Sequence, residues 1–563
     1  MPNDYVAIPI TPQDARDSVH DDDLVGQNTP LISSTASQST HVGITVHGDS
    51  TYTYSYGPPG LSGLWHNHYA FLCAIFASIG GLSFGYDQGV IANVLVMKDF
   101  MRRWPVTPLQ KGALTAILEL GALIGTLASG ILADKYSRRH SIFVACVIFN
   151  IGALFQCFAT NLPHLFIGRA VGGIGVGALS MLSPLYISEI SPPEVRGSLI
   201  ALEQFSIVLG VVVGFWIGFF TRHISGSLSW RLPLGIQTIP GVLLALGAIF
   251  LLPASPRLLV LKGKYDEAER SLVKLRGRDD ELTKIEMLEM RVEATLISQV
   301  DGMPPKHSTG EFAVWGRLLT KKYRGRTFIG VLIMVFQQWS GINALLYYGP
   351  TLVRSIGLQG DTVGLLVSGG IGIVQFLAVG PAVLYIDRLG RKPLLRGGSA
   401  VMTLAHLTIA LLVQLFQDDW PEHAMAAWVA VAGIYTFTFA YGVSFGPIGW
   451  VLPSEVFPLS MRARGVALAT ASNWINNFFI GLITPVIMEA SAAGTFLTFA
   501  TACFIAYLWA TYGVPETAGV ALEDMDRVFG SDAGREDVAR RRVVEEELGL
   551  HEFLTDLRNR RSN

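Results

Sequence analysis

The chain has 563 residues, of which 50% are hydrophobic and only 15% are charged, and its formal net charge is −2. A soluble protein carries about 25% charged residues, so this composition argues against a soluble protein and indicates a membrane protein. The nearly neutral charge gives no indication of nucleic-acid binding. The cysteines Cys73, Cys146, Cys157 and Cys503 lie singly in apolar segments, so their spacing predicts neither a disulfide framework nor a metal site.

The chain begins with a polar stretch rich in Ser, Thr, Asp and Gly. It lacks the apolar core of a signal peptide, and its composition predicts a disordered cytoplasmic tail over residues 1–64. The first apolar run starts at about Tyr69. We expect this run to act as an uncleaved signal anchor.

Counting this run, the chain has twelve apolar runs. Each is long enough to cross a bilayer, which takes about 20 residues. All must be helices, because open strands leave backbone groups unpaired in lipid. The predicted spans are 69–92, 112–133, 141–160, 164–187, 198–221 and 230–252, then 326–352, 362–386, 393–416, 424–452, 463–488 and 493–514. They form two six-helix bundles, over 65–253 and 326–516. The fold class is therefore an all-α membrane protein.

Basic residues indicate the orientation. They cluster after the second and eighth spans, whereas the loops after spans three, nine and eleven have no Lys or Arg. By the positive-inside rule both termini are cytoplasmic, although Lys98, Arg102, Arg103 and Lys111 disagree. The charged linker, residues 254–325, and the tail, residues 517–563, are predicted to be cytoplasmic and largely helical.

Two charged motifs recur in the second bundle. Asp134-x3-Arg138 returns as Asp387-x3-Arg391 after 253 residues, and Glu189-x6-Arg196 returns as Glu455-x6-Arg462 after 266 residues. Pro253 has a looser counterpart in Pro515. Each motif falls at the matching helix end. Such a repeat predicts two similar bundles that face each other, as in carriers that work by alternating access.

Several fragments carry a family resemblance: GGLSFGYDQGV, DKYSRR, GRAVGGIGVG, PLYISEISPPEVRG, PASPR, QQWSGINALLYYGP, DRLGRK, GPIGW, PSEVFP and PETAG. Over about residues 65–530 the chain resembles the sugar porters of the major facilitator superfamily, and its long polar N-terminus is more typical of fungal members. The resemblance implies a hexose-type monosaccharide importer in the plasma membrane that works as a monomer, without a metal or cofactor.

The seventh span carries the chemistry that a sugar needs, namely amides that both donate and accept beside aromatic rings. Gln338 and Asn343 lie about 140° apart on an ideal helix, so we expect local unwinding near Ser340-Gly341 to bring them together. The resemblance implies sugar contacts from Gln204, Gln337, Gln338, Asn343, Trp450 and Asn473, and we add Tyr348 as a candidate. The alternative is that these amides only hydrogen-bond neighbouring helices.

Two opposite charges fall inside spans, Asp87 in the first and Arg169 in the fourth. Intramembrane charges are costly and usually functional. In proton-coupled sugar porters an acid matching Asp87 faces an arginine matching Arg169, and protonation loosens the pair. The resemblance thus implies proton symport. The alternatives are a static ion pair or a passive facilitator.

The repeated charges at the helix ends predict a cytoplasmic gate. Its members are Asp134, Arg138, Glu189, Arg196, Asp387, Arg391, Glu455 and Arg462. We expect them to pair across the halves when the carrier opens outward and to separate when it opens inward. Ordinary topogenic charge is the alternative. Glu119 and Glu203, also inside spans, receive no role.

Other functions fit the sequence less well. There is no nucleophile–base pair and no phosphate-binding loop, which argues against an enzyme or ATP-driven transport. A porter for a disaccharide, inositol or another polyol stays open. A sugar sensor that does not transport is less favoured, because sensors of this kind tend to carry a long cytoplasmic signalling tail and the tail here is short.

Overall fold

The structure is a computed structural model that describes residues 43–47, 51–57, 61–300, 315–321, 323–356, 361–417, 419–457, 459–517 and 543–562. Twelve helices in the described part are long and apolar enough to cross a membrane. The predicted all-α membrane fold is therefore confirmed.

The twelve spans form two groups of six. In the first half they are span 1, His68–Ala77 and Ile79–Val94; span 2, Pro108–Lys135; span 3, Arg138–Cys157; span 4, Leu162–Ile190; span 5, Arg196–Thr221; and span 6, Leu228–Ile236 and Thr238–Phe250. In the second half they are span 7, Arg324–Trp339 and Ile342–Ser355; span 8, Asp361–Leu389; span 9, Arg391–Phe416; span 10, Ala424–Val443 and Phe445–Val456; span 11, Leu459–Ala490; and span 12, Ala492–Tyr512.

Glycine allows the helices to approach closely. A Cβ added at Gly85 in span 1 would stand closer than van der Waals contact to the Ile207 carbonyl of span 5, and one at Gly177 in span 4 would meet the Ala122 carbonyl of span 2 in the same way. Lipid provides no hydrophobic drive between helices, so association depends on such close packing. The glycine-rich spans are thus packing surfaces.

Span 7 is broken where the sequence predicted unwinding. Its two helices meet at Gly341, whose φ of +94° is in the left-handed region that favours glycine. The break leaves the Ser340 carbonyl without its helical partner, and His406 of span 9 donates to it from Nε2 at 2.9 Å. Freed backbone groups at membrane depth need such a partner.

The two halves touch at both ends of the bundle. We call the end that carries Glu189 and Glu455 the motif end. Near it, a Cβ added at Gly130 of span 2 would stand 2.8 Å from the Ala467 Cβ of span 11, and at the opposite end one at Gly112 would stand 3.1 Å from the Leu482 carbonyl. Spans 2 and 11 therefore hold the two halves in contact at both ends of the bundle.

A layer of short helices covers the motif end. The linker helices are Pro256–Leu261, Tyr265–Arg276 and Glu281–Val300, and Leu550–Ser562 lies in the C-terminal tail. Arg276 anchors this layer, because it donates to the Ile190 carbonyl at the end of span 4 at 2.9 Å and pairs with Glu286 at 2.6 Å. The linker therefore contacts the first half directly.

The predicted disordered tail needs a correction over its last part. Strands Gly43–His47 and Thr51–Ser55 form an antiparallel hairpin with Gly43 opposite Ser55, and Leu61–His66 is a short helix. The buried Tyr56 donates its backbone N–H to Glu194 at 2.9 Å, and its ring lies in an apolar cluster with Leu282 and Leu554. This docking onto the motif-end layer is a tertiary contact that composition alone does not reveal.

Candidate solute site and buried ion pairs

A cavity lies between the two halves. Its lining residues come from both halves: Phe84, Gln88, Gln204, Ile207, Val208, Val211, Gln337, Gln338, Ile342, Asn343, Leu346, Gln375, Tyr441, Trp450 and Asn473. Amides beside aromatic and aliphatic surface are the groups that a polyhydroxylated solute needs.

The break in span 7 brings the two predicted amides together. Asn343 donates from Nδ2 to Gln338 Oε1 at 2.6 Å across the break. Gln337, on the same helix as Gln338, donates to the Phe445 carbonyl at 3.0 Å and accepts from Asn473 at 2.6 Å. The second half therefore supplies a hydrogen-bonded group of amides, Gln337, Gln338, Asn343 and Asn473, which we call the amide wall.

Two hydrogen bonds cross the cavity between the halves. Trp450 Nε1 of span 10 donates to Gln204 Oε1 of span 5 at 2.9 Å. Gln88 Nε2 of span 1 lies 3.5 Å from Asn343 Oδ1 of span 7. A solute in the cavity would compete for these same groups, so its binding would affect the contact between the halves.

The structure directs one candidate away from the cavity. Tyr348 has non-helical backbone angles, φ −118° and ψ 17°, and its hydroxyl donates to the Gly481 carbonyl of span 11 at 2.6 Å. Tyr348 is not among the residues that line the described cavity. Adjacent residues on a helix point in different directions, and the neighbouring Tyr347 faces span 1 instead, as its hydrogen bond with Gln88 shows.

The sequence analysis missed three polar cavity residues, Gln88, Gln375 and Tyr441. All three are polar groups within apolar spans, and that feature could have identified them. Gln88 directly follows Asp87 in the GYDQG fragment. It therefore links the charged pair of the first half to the cavity.

Asp87 and Arg169 form a buried ion pair beside the cavity. The Arg169 Nη1 and Nη2 atoms lie 3.3 and 3.2 Å from Asp87 Oδ1 and Oδ2, and both residues are 1% exposed. Arg169 also donates from Nε to the Leu114 carbonyl of span 2 at 2.7 Å. The guanidinium is thus held on one side while the carboxylate faces it with both oxygens.

Each half has one buried arginine–glutamate pair at the motif end. Arg138 contacts Glu189 at 2.8 Å, and Arg391 contacts Glu455 at 2.6 Å. Both of these pairs join spans of the same half, whereas the sequence analysis expected the gate charges to pair across the halves. Arg138 and Arg391 lie at the starts of spans 3 and 9, and each pairs with a glutamate of its own bundle.

The other predicted gate residues lie close to these pairs. Arg196 and Arg462 are buried near the starts of spans 5 and 11, and Arg462 donates to the Phe457 carbonyl at 3.2 Å. The side chains of Asp134 and Asp387 lie outside the described part of the structure. The described charges therefore gather at one end of each half.

A family model described as "Sugar (and other) transporter" matches residues 73–529. Similar proteins include the probable polyol transporter 3 of Arabidopsis thaliana, 32% identical over 84% of this chain and 93% of that protein. The glucose transporter GlcP of Staphylococcus epidermidis is 34% identical over 81% of this chain and 96% of its own. The low-affinity glucose transporter HXT1 of Saccharomyces cerevisiae is 31% identical over 81% of both.

Solved structures agree with the fold. The proton:xylose symporter XylE bound to 6-bromo-6-deoxy-D-glucose has a TM-score of 0.70 at 26% identity, over 82% of this chain and 99% of that one. The inward-open conformation of XylE from E. coli has a TM-score of 0.61 at 27% identity, over the same shares of both chains.

The chain therefore belongs to the sugar porter family of the major facilitator superfamily and is a multi-pass membrane transporter, not an enzyme.

Proposed function

We propose that this protein imports a monosaccharide together with protons by alternating access. The observation that carries the proposal is the Asp87–Arg169 pair, which is directly adjacent in sequence to the cavity residue Gln88. Protonation of Asp87 would remove one of the two charges and weaken both charge-assisted hydrogen bonds. Because Gln88 follows on the same helix, this change would reach the solute site.

Coupling follows from the two-state logic of carriers. A ligand shifts a conformational equilibrium only by its difference in affinity between the states. Here the proton would release span 1 from span 4, while the solute would bridge Gln88 to the amide wall of span 7. Together they would favour movement of the two halves, and the carboxylate without its proton would resist it. The symport title of the XylE neighbour supports this proposal.

Uptake into proteoliposomes tests the proposal. We expect the parent to accumulate labelled D-glucose when an inward proton gradient is imposed. Asp87→Asn mimics the protonated acid, so it should lose accumulation but keep sugar exchange between equal concentrations, which needs no net proton movement. Accumulation that ignores the gradient, or that survives in Asp87→Asn, would refute proton coupling and leave a passive facilitator.

A polyol is the second candidate for the solute. Four of the similar Arabidopsis proteins are named as polyol transporters, two of them as probable and one as putative. The amide wall would serve an open chain of hydroxyls as well as a ring. Competition of D-glucose uptake by D-sorbitol, myo-inositol, D-xylose and maltose distinguishes these solutes.

We further propose that the pairs at the motif end stabilise the cytoplasmic gate. Arg138–Glu189 and Arg391–Glu455 hold the ends of their spans in the geometry that lets the two halves touch, and the neighbouring Asp134, Arg196, Asp387 and Arg462 belong to the same gate. The positive-inside distribution supports cytoplasmic termini. We place the protein in the plasma membrane, as the family resemblance implies. We propose that it works as a monomer, because residues of one chain line the cavity from both halves.

A further inference from the structure

Glu119 is a buried acid to which the sequence analysis assigned no role. It lies in span 2, in the part of the helix farther from the motif end, and is 1% exposed. An acid at this depth is costly unless hydrogen bonds compensate it. Its surroundings therefore explain why it is tolerated.

Both carboxylate oxygens of Glu119 accept hydrogen bonds from the other half. The Tyr347 hydroxyl of span 7 donates to Oε1 at 2.8 Å, and Asn477 Nδ2 of span 11 donates to Oε2 at 3.0 Å. Both hydrogen bonds join buried groups that belong to different halves. Glu119 thus ties the first half to two helices of the second.

The same tyrosine leads into the cavity. Besides donating to Glu119, the Tyr347 hydroxyl accepts from Gln88 Nε2 at 3.0 Å. Gln88 lies 3.5 Å from Asn343, which donates to Gln338. A continuous polar chain therefore runs from Glu119 to the two amides of the solute site.

Tyr347 lies next to the break in span 7. It follows Gly341 on the helix Ile342–Ser355, and the residue after it departs from helical geometry. Breaks of this kind are common hinge positions in gating segments. The contact with Glu119 holds this helix against the first half.

We propose that Glu119 is a positioning residue that fastens the end of the carrier opposite the motif end over the occupied cavity. It acts through Tyr347 and Asn477 and does not contact the solute. This inference rests on the proposal that the cavity binds a sugar or polyol, and it is independent of proton coupling. Glu119→Gln would weaken this contact, because only one of the two terminal atoms of a glutamine side chain can accept a hydrogen bond.

Cysteine labelling measures the opening directly. In a background without the four native cysteines, Leu346→Cys places a thiol on the cavity wall. A membrane-impermeant maleimide is applied to vesicles from the side opposite the motif end, with no sugar, with D-glucose or with D-sorbitol. We expect Glu119→Gln and Tyr347→Phe to raise the labelling rate about tenfold in every arm, equivalent to losing about 1.4 kcal/mol of closure.

Glu203 supplies the matched control. It is a fully buried acid of span 5 in the same half, and neither of its carboxylate oxygens has a hydrogen-bond partner in the described structure. Glu203→Gln should leave the labelling rate unchanged. An equal increase in that variant would show a general loosening of the bundle and would overturn the proposal.

Uptake kinetics and a double variant complete the test. Glu119→Gln should lower the maximal uptake rate about tenfold while the equilibrium Kd for sugar changes less than about threefold, because the cavity amides stay intact. The double variant Glu119→Gln, Tyr347→Phe should lose less than the sum of the two single losses, because both substitutions act on the same Tyr347–Glu119 hydrogen bond. Unchanged labelling in folded Glu119→Gln, or additive losses, would refute the role. Failure of both D-glucose and D-sorbitol to protect the parent thiol would count against the solute proposal alone, since the sugar-free arm still tests Glu119.

Discussion

The two halves place different groups at positions related by the internal repeat. The offset of 266 residues that relates Glu189 to Glu455 also relates Arg169 to Tyr435, and the offset of 253 that relates Asp134 to Asp387 relates Leu114 to Val367. Arg169 donates to the Leu114 carbonyl at 2.7 Å, and Tyr435 donates to the Val367 carbonyl at 3.1 Å. The helix-to-helix contact is the same, but only the first half places a charge there.

At the motif end the repeat is retained. Arg138 and Arg391 each contact a glutamate of their own half, and each also donates to the backbone, to Ala133 and Ile386, which are again 253 residues apart. Shared scaffold contacts were thus kept in both halves. The middle of the membrane has diverged, with an ion pair in the first half and an amide wall in the second. Under the proposed function, charge-linked movement would start in the first half, and the second half would supply most of the amides that contact the solute.

The largest expected effect separates Arg169 from its counterpart Tyr435. Arg169→Leu leaves the Asp87 carboxylate buried without its partner, which costs about 3–5 kcal/mol. Tyr435→Phe removes one neutral hydrogen bond, worth about 1 kcal/mol. Thermal unfolding of the purified variants in detergent measures both. Equal losses of stability in the two variants would mean that the ion pair stabilises the first half no more than the neutral hydrogen bond stabilises the second.

A smaller effect distinguishes the two motif-end glutamates. Glu455 accepts from Arg391 and also from the Thr517 hydroxyl at 2.9 Å, whereas Glu189 accepts from Arg138. We expect Glu455→Gln to destabilise the closed gate by about 1.5–3 kcal/mol, the range for hydrogen bonds to charged groups. Initial uptake rates should then fall further in Glu455→Gln than in Glu189→Gln. Unchanged uptake in Glu455→Gln would argue for purely topogenic charge.

The smallest effect tests whether amides bind solute or only hold helices. Gln338→Ala removes a cavity amide of the second half and should raise the Kd for D-glucose about tenfold. Asn93 of the first half donates to the Phe215 carbonyl at 2.9 Å, and it does not line the described cavity. Asn93→Ala should lower the melting temperature and leave the Kd unchanged. Calorimetric titration that shows the same Kd for Gln338→Ala and the parent would place the site elsewhere.

Much of the architecture was predictable because its signals are local. Runs of apolar residues must form helices in lipid, and the repeated charged motifs predicted two similar bundles. The break at Gly341 was also predictable, since an amide pair five residues apart cannot converge on a regular helix. The cavity residues Gln338, Asn343, Trp450 and Asn473 followed from the chemistry of their side chains and from the family resemblance.

Other features depended on contacts between segments far apart in the chain. The direction of Tyr348 could not be predicted, because a single irregular residue turns it towards Gly481 and leaves Tyr347 facing Gln88. The pairing of the gate charges within each half and the docking of Tyr56 on Glu194 depended on three-dimensional proximity in the same way.

Glu119 shows most clearly which features the sequence determined and which the tertiary structure decided. Its burial follows from its place in an apolar span, so the sequence alone determined that it needs partners. Which partners it has was decided by the tertiary structure, because Tyr347 and Asn477 lie 228 and 358 residues away along the chain. Hydrogen bonds are short and directional, so only the packed arrangement of spans 2, 7 and 11 specifies them.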